Sequence, residues 1–210
     1  LEIAKKHDNI FCALAMHPHD AKEVTGENFA VLKNIIETEP KVKAVGEIGL
    51  DYHYMHSDKT KQQEVLRQFI KLALEVKKPI VIHDRDCGDD CINILKEESA
   101  EKVGGMVHCF TGTMDLAKKY LDFGFIVSFT GIITFKKADD LREIVKMVPL
   151  EQMTIETDSP FLTPMPFRGK KNQPAYVKHV AECVAEIKGV SFEEVAEKTT
   201  ANAKRFFGIA

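Results

Sequence analysis

Residues 42–54 read VKAVGEIGLDYHY. The stretch opens as an apolar strand and closes among glycines, a carboxylate and a cluster of aromatic and imidazole groups. Glu47 falls where the hydrophobic run is about to stop, and burying a charge there without a partner is costly. Three later stretches repeat the pattern: VIHD carries His83 at its end, MVHCF carries His108 and TIETD ends on Asp158. Each is an apolar run closing on a side chain that can hold a metal.

Working outward, residues 10–16 (IFCALAM) form a short continuous apolar run before a His17-Pro18-His19 turn, which reads as a strand buried on both faces. Further strands are expected over 79–84, 104–110, 125–129 and 153–158. Between them lie helical patterns. The clearest runs from about 58 to 77, where Val65, Phe69, Leu72 and Val76 recur at three and four residues. Others are expected over 28–38 and 89–98, after Thr113, and around Leu141 to Val148. Two more close the chain, one near Pro174 and one from Ser191, whose spacing to Glu194 is that of a capping box.

Strands alternating with helices imply a parallel sheet with helices outside it. The polar candidates all fall at strand C-termini, where a β/α barrel carries its active site. A doubly wound sheet would show a Gly-rich phosphate turn after its first strand, and none is visible. The fold class expected is therefore α/β, a TIM-type β/α barrel. Residues two apart in a strand share a face. Val45 and Gly49 accompany Glu47, Val81 accompanies His83, and Met106 and Phe110 accompany His108, while Ile48, Ile80, Ile82 and Val107 face the helices. Glu156 shares the face of Asp158 one layer deeper and needs a hydrogen-bond donor or a cation beside it.

The 210 residues are 44% hydrophobic and 29% charged, ample for one well-packed domain over residues 1–210. A net charge of -3 offers no basic cloak, so a polyanion must be held by local charge. The five cysteines, an odd number, favour a reducing, cytoplasmic setting. No apolar run reaches the roughly 20 residues of a membrane span.

Each candidate has a plain reading. A strand-end histidine is often a hydrogen-bonded core residue, Glu47 could be half of a salt bridge, and Asp158 before Ser159-Pro160 could start a turn. The combination of four strands ending in ligand types favours metal, with imidazole and carboxylate suiting Zn²⁺ or Mn²⁺ and Mg²⁺ preferring more oxygen. His17 is either exposed or reaches substrate. The basic loop FRGKKN, with Arg168 and Lys170, follows the last strand directly and is expected to clamp phosphate, with Arg85 as a second candidate. The plain reading of Arg85 is a salt bridge to Asp84 or Asp86.

GEIGLDYHY, PIVIHDRD, VHCFTGT, GFIVSFTGIITFK and IETDSPFLTPMPFRGKKNQP together resemble the signature stretches of TatD-type metal-dependent deoxyribonucleases, β/α barrels of the metal-dependent hydrolase superfamily. The resemblance runs from about residue 9 onward and keeps the motif order. It implies two divalent ions (Mg, Mn or Zn) and DNA as substrate, hydrolysed at its phosphodiester bonds from the 3′ end. By the same resemblance Glu47 touches both metals, His83 and His108 complete one, and Asp158 holds the other and orients the attacking water. Arg168 lies beside the nucleic-acid path, and His17 matches the family's HPH turn. The family opens with a strand ending in His-x-His and a second βα unit, so the chain is expected to lack its first one or two βα units. The rival readings are a hydrolase of another ester or amide bond, and a metal-binding chain without activity.

Overall fold

The computed structural model describes residues 1–209. Two compact units divide the chain, residues 1–106 and 107–210.

The first unit contains α1 (Glu2–Lys6), β1 (Cys12–Leu14), α2 (Gly26–Thr38), β2 (Val42–Asp51), α3 (Lys59–Val76), β3 (Ile80–Arg85) and α4 (Asp90–Glu97), and it ends as β4 (Gly105–Val107) begins. Strands β1, β2 and β3 pair in chain order, all parallel. Alternation with helices makes parallel pairing possible, because each crossover carries the chain back to the same end of the sheet. Strand β1 is shorter than its apolar run suggested, and its three residues are only partly buried. As the outer strand of this set it has a partner on one side, so it is not enclosed as the sequence led one to expect.

Helix α3 is the main prop of this unit. Asp58 caps it by accepting from the Lys61 N–H, and Lys77 ends it in a left-handed conformation. Its inner face buries Val65, Leu66, Phe69, Ile70 and Leu72, each contributing about 1.5–3 kcal/mol by removal from water. Gln62, 1% exposed, fastens this helix to the end of β2. Its Oε1 accepts from the Asp51 N–H at 2.7 Å, and its Nε2 donates to the Asp51 and Ser57 carbonyls. Strand β2 and strand β3 meet with Gly49 opposite His83. A Cβ at Gly49 would lie 1.9 Å from the His83 carbonyl oxygen, and its φ is +148°, so only glycine allows this approach.

The second unit contains α5 (Met114–Asp122), β5 (Ile126–Phe129), α6 (Asp139–Met147), β6 (Met153–Ile155), α7 (Val177–Lys188) and α8 (Phe192–Phe207). Strands β5 and β6 are parallel, with Val127 opposite Met153 and Phe129 opposite Ile155. Thr113 caps α5 through the Leu116 N–H, and Ser191 caps α8 through the Glu194 N–H. Tyr120, Phe125 and Phe129 are fully buried. Asn202, buried on α8, donates to the carbonyls of Leu150 and Met153 and so anchors the start of β6. No helix among the described residues is long and apolar enough to cross a membrane.

Candidate metal centre

In the first unit the sequence-predicted residues Glu47, His83 and His17 come together. His83 Nδ1 lies 2.7 Å from Glu47 Oε1, and His17 Nε2 lies 3.7 Å from the same oxygen. His17 is not a loose surface group: its Nδ1 accepts from the His19 N–H, which fixes the ring in the tight turn that follows β1. A cleft of about 400 Å³ opens here, lined by His17, His19, Asp20, Lys22, Glu23 and His56.

The residue that the sequence reading passed over is Asp51, which is 0% exposed. Its Oδ1 accepts from the backbone N–H groups of His53 (3.0 Å) and Tyr54 (2.8 Å). Its Oδ2 faces Nε2 of both His19 (2.9 Å) and His83 (3.0 Å). Burial alone would raise the Asp51 pKa, but the Tyr54 N–H and the two imidazoles outweigh it and hold the carboxyl at about 2. An ionised carboxylate has only acceptors to offer. Both Nε2 atoms therefore carry hydrogen, and neutral His83 has its lone pair on Nδ1, aimed at Glu47. Two acceptors 2.7 Å apart require positive charge between them. For His83, burial lowers the pKa, while the carboxylates of Glu47 and Asp51 raise it by more.

The second unit repeats this construction. His108 Nδ1 meets Glu156 Oε2, and the other Glu156 oxygen accepts from the Cys109 N–H at 2.9 Å. This is the donor that Glu156 needed. Burial pushes Glu156 up, and the neighbouring His108 and Cys109 N–H bring it below the ordinary carboxylate range. With hydrogen on Nδ1, His108 presents Nε2 to Asp158, whose Oδ1 is 3.6 Å away. Cys109 Sγ joins them: ligand atoms of His108, Cys109 and Asp158 lie within 4.8 Å of one another, as do those of His17, Glu47 and His83. Cys109 and Glu156 stand one and two residues from predicted ligands, and strand alternation gave the only signal for Glu156.

Of the basic candidates, Arg168 and Lys170 are exposed and Arg85 is half-buried. Arg85 extends over the Tyr54 ring, its Cζ 4.7 Å from the centroid, and Tyr54 in turn stacks on His56. Asp86, one suggested partner of Arg85, pairs with His53 at 2.8 Å. In the second unit Arg168 lies over Phe135 at 3.7 Å, and Lys170 lies 5.6 Å from the Phe167 ring. A guanidinium resting on an aromatic face keeps its N–H edges available for phosphate.

Imidazole nitrogen and carboxylate oxygen are the donors a divalent transition ion takes, and carboxylates placed behind metal-facing histidines orient such ligands. Comparison with known proteins agrees. Residues 1–208 match the model of the TatD related DNase family. An uncharacterized metal-dependent hydrolase of Bacillus subtilis, YabD, is 51% identical over 209 residues, covering 100% of this chain and 82% of the relative. The protein named 3′-5′ ssDNA/RNA exonuclease TatD from Erwinia tasmaniensis is 32% identical, covering 100% of this chain and 83% of its own length. Among solved structures, the TatD homologue YJJV of Escherichia coli K12 superposes with a TM-score of 0.91 at 27% identity, over 100% of this chain and 81% of that one. The α/β fold of the β/α barrel type is thus shared with TatD structures. On its sequence, its fold and its donor sets, the chain belongs to the TatD related DNase family and is a metal-dependent hydrolase.

Proposed function

We propose that this chain hydrolyses phosphodiester bonds of DNA, releasing nucleotides from the 3′ end, with divalent cations held by Glu47, His83, His108 and Asp158. The observation that carries the reading is the repeated unit of carboxylate, imidazole and carboxylate: Asp51–His83–Glu47 and Glu156–His108–Asp158. Each turns one imidazole nitrogen toward an anionic oxygen, an arrangement that a divalent cation held between them fits. His17 adds a third donor beside Glu47. A divalent cation in such a site lowers the pKa of water and offsets charge on phosphate oxygens.

The chain's own groups supply the rest. Asp158 orients the attacking water and takes its proton on a carboxylate oxygen. Arg168 and Lys170 hold phosphate, and Arg85 assists from its place above Tyr54. Asp51 and Glu156 keep the two imidazoles in the tautomer that leaves the correct nitrogen for metal. The Erwinia relative's name, with its 3′-5′ polarity, supports this substrate class.

The test uses single-stranded DNA labelled at either end. Expected is stepwise loss of label from the 3′ end, abolished by chelation and restored by Mn²⁺ or Mg²⁺. Cleavage that survives chelation, or turnover of carboxylic esters or amides with DNA untouched, would refute the assignment.

A further inference from the structure

Phe161 is 68% exposed and lies three residues past Asp158. A single exposed apolar side chain is ordinary on a protein surface. What sets this one apart is its mounting. Asn172 is buried, 4% exposed, and its Nδ2 donates to the carbonyls of Thr157 (2.8 Å) and Phe161 (2.6 Å). The Asn172 N–H donates to the Pro160 carbonyl at 3.1 Å, and the Phe161 N–H donates to the Asp158 carbonyl at 2.8 Å.

The turn is held from its far side as well. A Cβ at Gly131 would meet the Leu162 carbonyl oxygen at 2.2 Å, so the chain after Phe161 packs on bare backbone. Asp158 and Leu162 both have φ near +55°, a conformation that non-glycine residues keep only where their surroundings impose it. The backbone under Phe161 is thus fixed at both ends, while its ring is exposed to solvent on the turn that follows Asp158, the proposed water-orienting residue. Arg168, Lys170 and Lys171, all exposed, lie on the same loop. Thr163 Oγ1 donates to the Lys170 carbonyl and ties the loop's two arms together.

We infer that Phe161 is a stacking platform for the nucleobase next to the scissile phosphate, and that it selects a single-stranded end. This rests on the nuclease reading. A pre-positioned aromatic face gains stacking energy without an ordering cost, and it accepts any base because every base has a π face. A base already stacked within a duplex gains little from the transfer, so the platform discriminates strand state. The basic residues of the loop attract the backbone and leave base identity unread.

The experiment measures affinity for a fluorescent single-stranded deoxyoligonucleotide with Mn²⁺ present, in an Asp158→Ala background that prevents cleavage. Adding Phe161→Ala is expected to weaken binding about five- to 150-fold, the range for losing one base–aromatic stack, and Phe161→Trp is expected to restore it. In a series of oligonucleotides with one abasic position each, one position near the 3′ end should weaken the Phe161 protein by a similar factor and leave Phe161→Ala unaffected. Equal affinity of the Phe161 and Phe161→Ala proteins overturns the inference. So does a loss in Phe161→Ala that no abasic position matches, since that marks a structural role. If the Phe161 protein itself fails to bind DNA while the parent enzyme hydrolyses another ester, the nuclease reading falls and this inference falls with it.

Discussion

Replacing Asp51 with asparagine tests the reasoning behind the metal centre at the residue least visible from outside it. The side chains are nearly isosteric, so the amide oxygen can still accept from the His53 and Tyr54 N–H groups. The amide nitrogen then faces Nε2 of His19 and His83, where the carboxylate had accepted hydrogen. Both imidazoles must present a lone pair there, which moves the hydrogen of His83 to Nδ1. That hydrogen points at Glu47 and occupies the position the cation needs. Loss of such a supporting carboxylate costs about 10- to 100-fold in metal affinity, or ~1.4–2.7 kcal/mol.

Stability changes by a separate route. The Asp51 carboxyl is held at about 2 against an ordinary 3.8, which corresponds to about 2 kcal/mol of folding free energy at neutral pH. A neutral amide forfeits that, lowering Tm by roughly 4–8 °C for a chain of this length. Calorimetric titration with Mn²⁺ or Zn²⁺ separates the two effects. The reasoning is refuted if the variant binds metal with the parent's affinity, whatever happens to its Tm.

The same carboxyl gives a pH dependence of definite sign. Its pKa is depressed on folding, so its stabilisation is complete above the ordinary carboxylate pKa and fades as pH falls through about 2; denaturant titrations between pH 5 and 2 should lose less stability in Asp51→Asn than in the parent. Asp158→Ala should keep the parent's circular dichroism, with a modest fall in Tm because alanine tolerates a φ near +55° less well than aspartate, while removing nuclease activity, and a variant that digests DNA at the parent rate would disprove its role. Arg168→Ala should weaken DNA binding across sequences and reduce the slope of log K against log salt by about 1, whereas an unchanged slope would remove it from the phosphate path. Gly49→Ala should prevent correct pairing of β2 and β3, because the added methyl overlaps the His83 carbonyl; a soluble variant with the parent's Tm would show that the strands can shift apart.

Sequence alone settled the order of strands and helices, because apolar periodicity, capping residues and glycine stops are local properties. It also singled out Glu47, His83, His108 and Asp158 and the basic loop, because carboxylate and imidazole groups at the close of apolar runs are recognisable without coordinates, although β2 runs on to Asp51 and β4 and β6 stop short of His108 and Asp158. Tertiary structure decided the rest. Asp51 lies in the same stretch as Glu47, yet its role depends on His19 and His83, residues 32 positions away on either side. His17 had two equal readings until its ring was seen turned toward Glu47. The support beneath Phe161 depends on Asn172 and Gly131, one beyond the last strand and one before it. Hydrogen-bond direction decides which imidazole nitrogen is left for a cation, and that direction is set by partners that only folding brings within 3 Å.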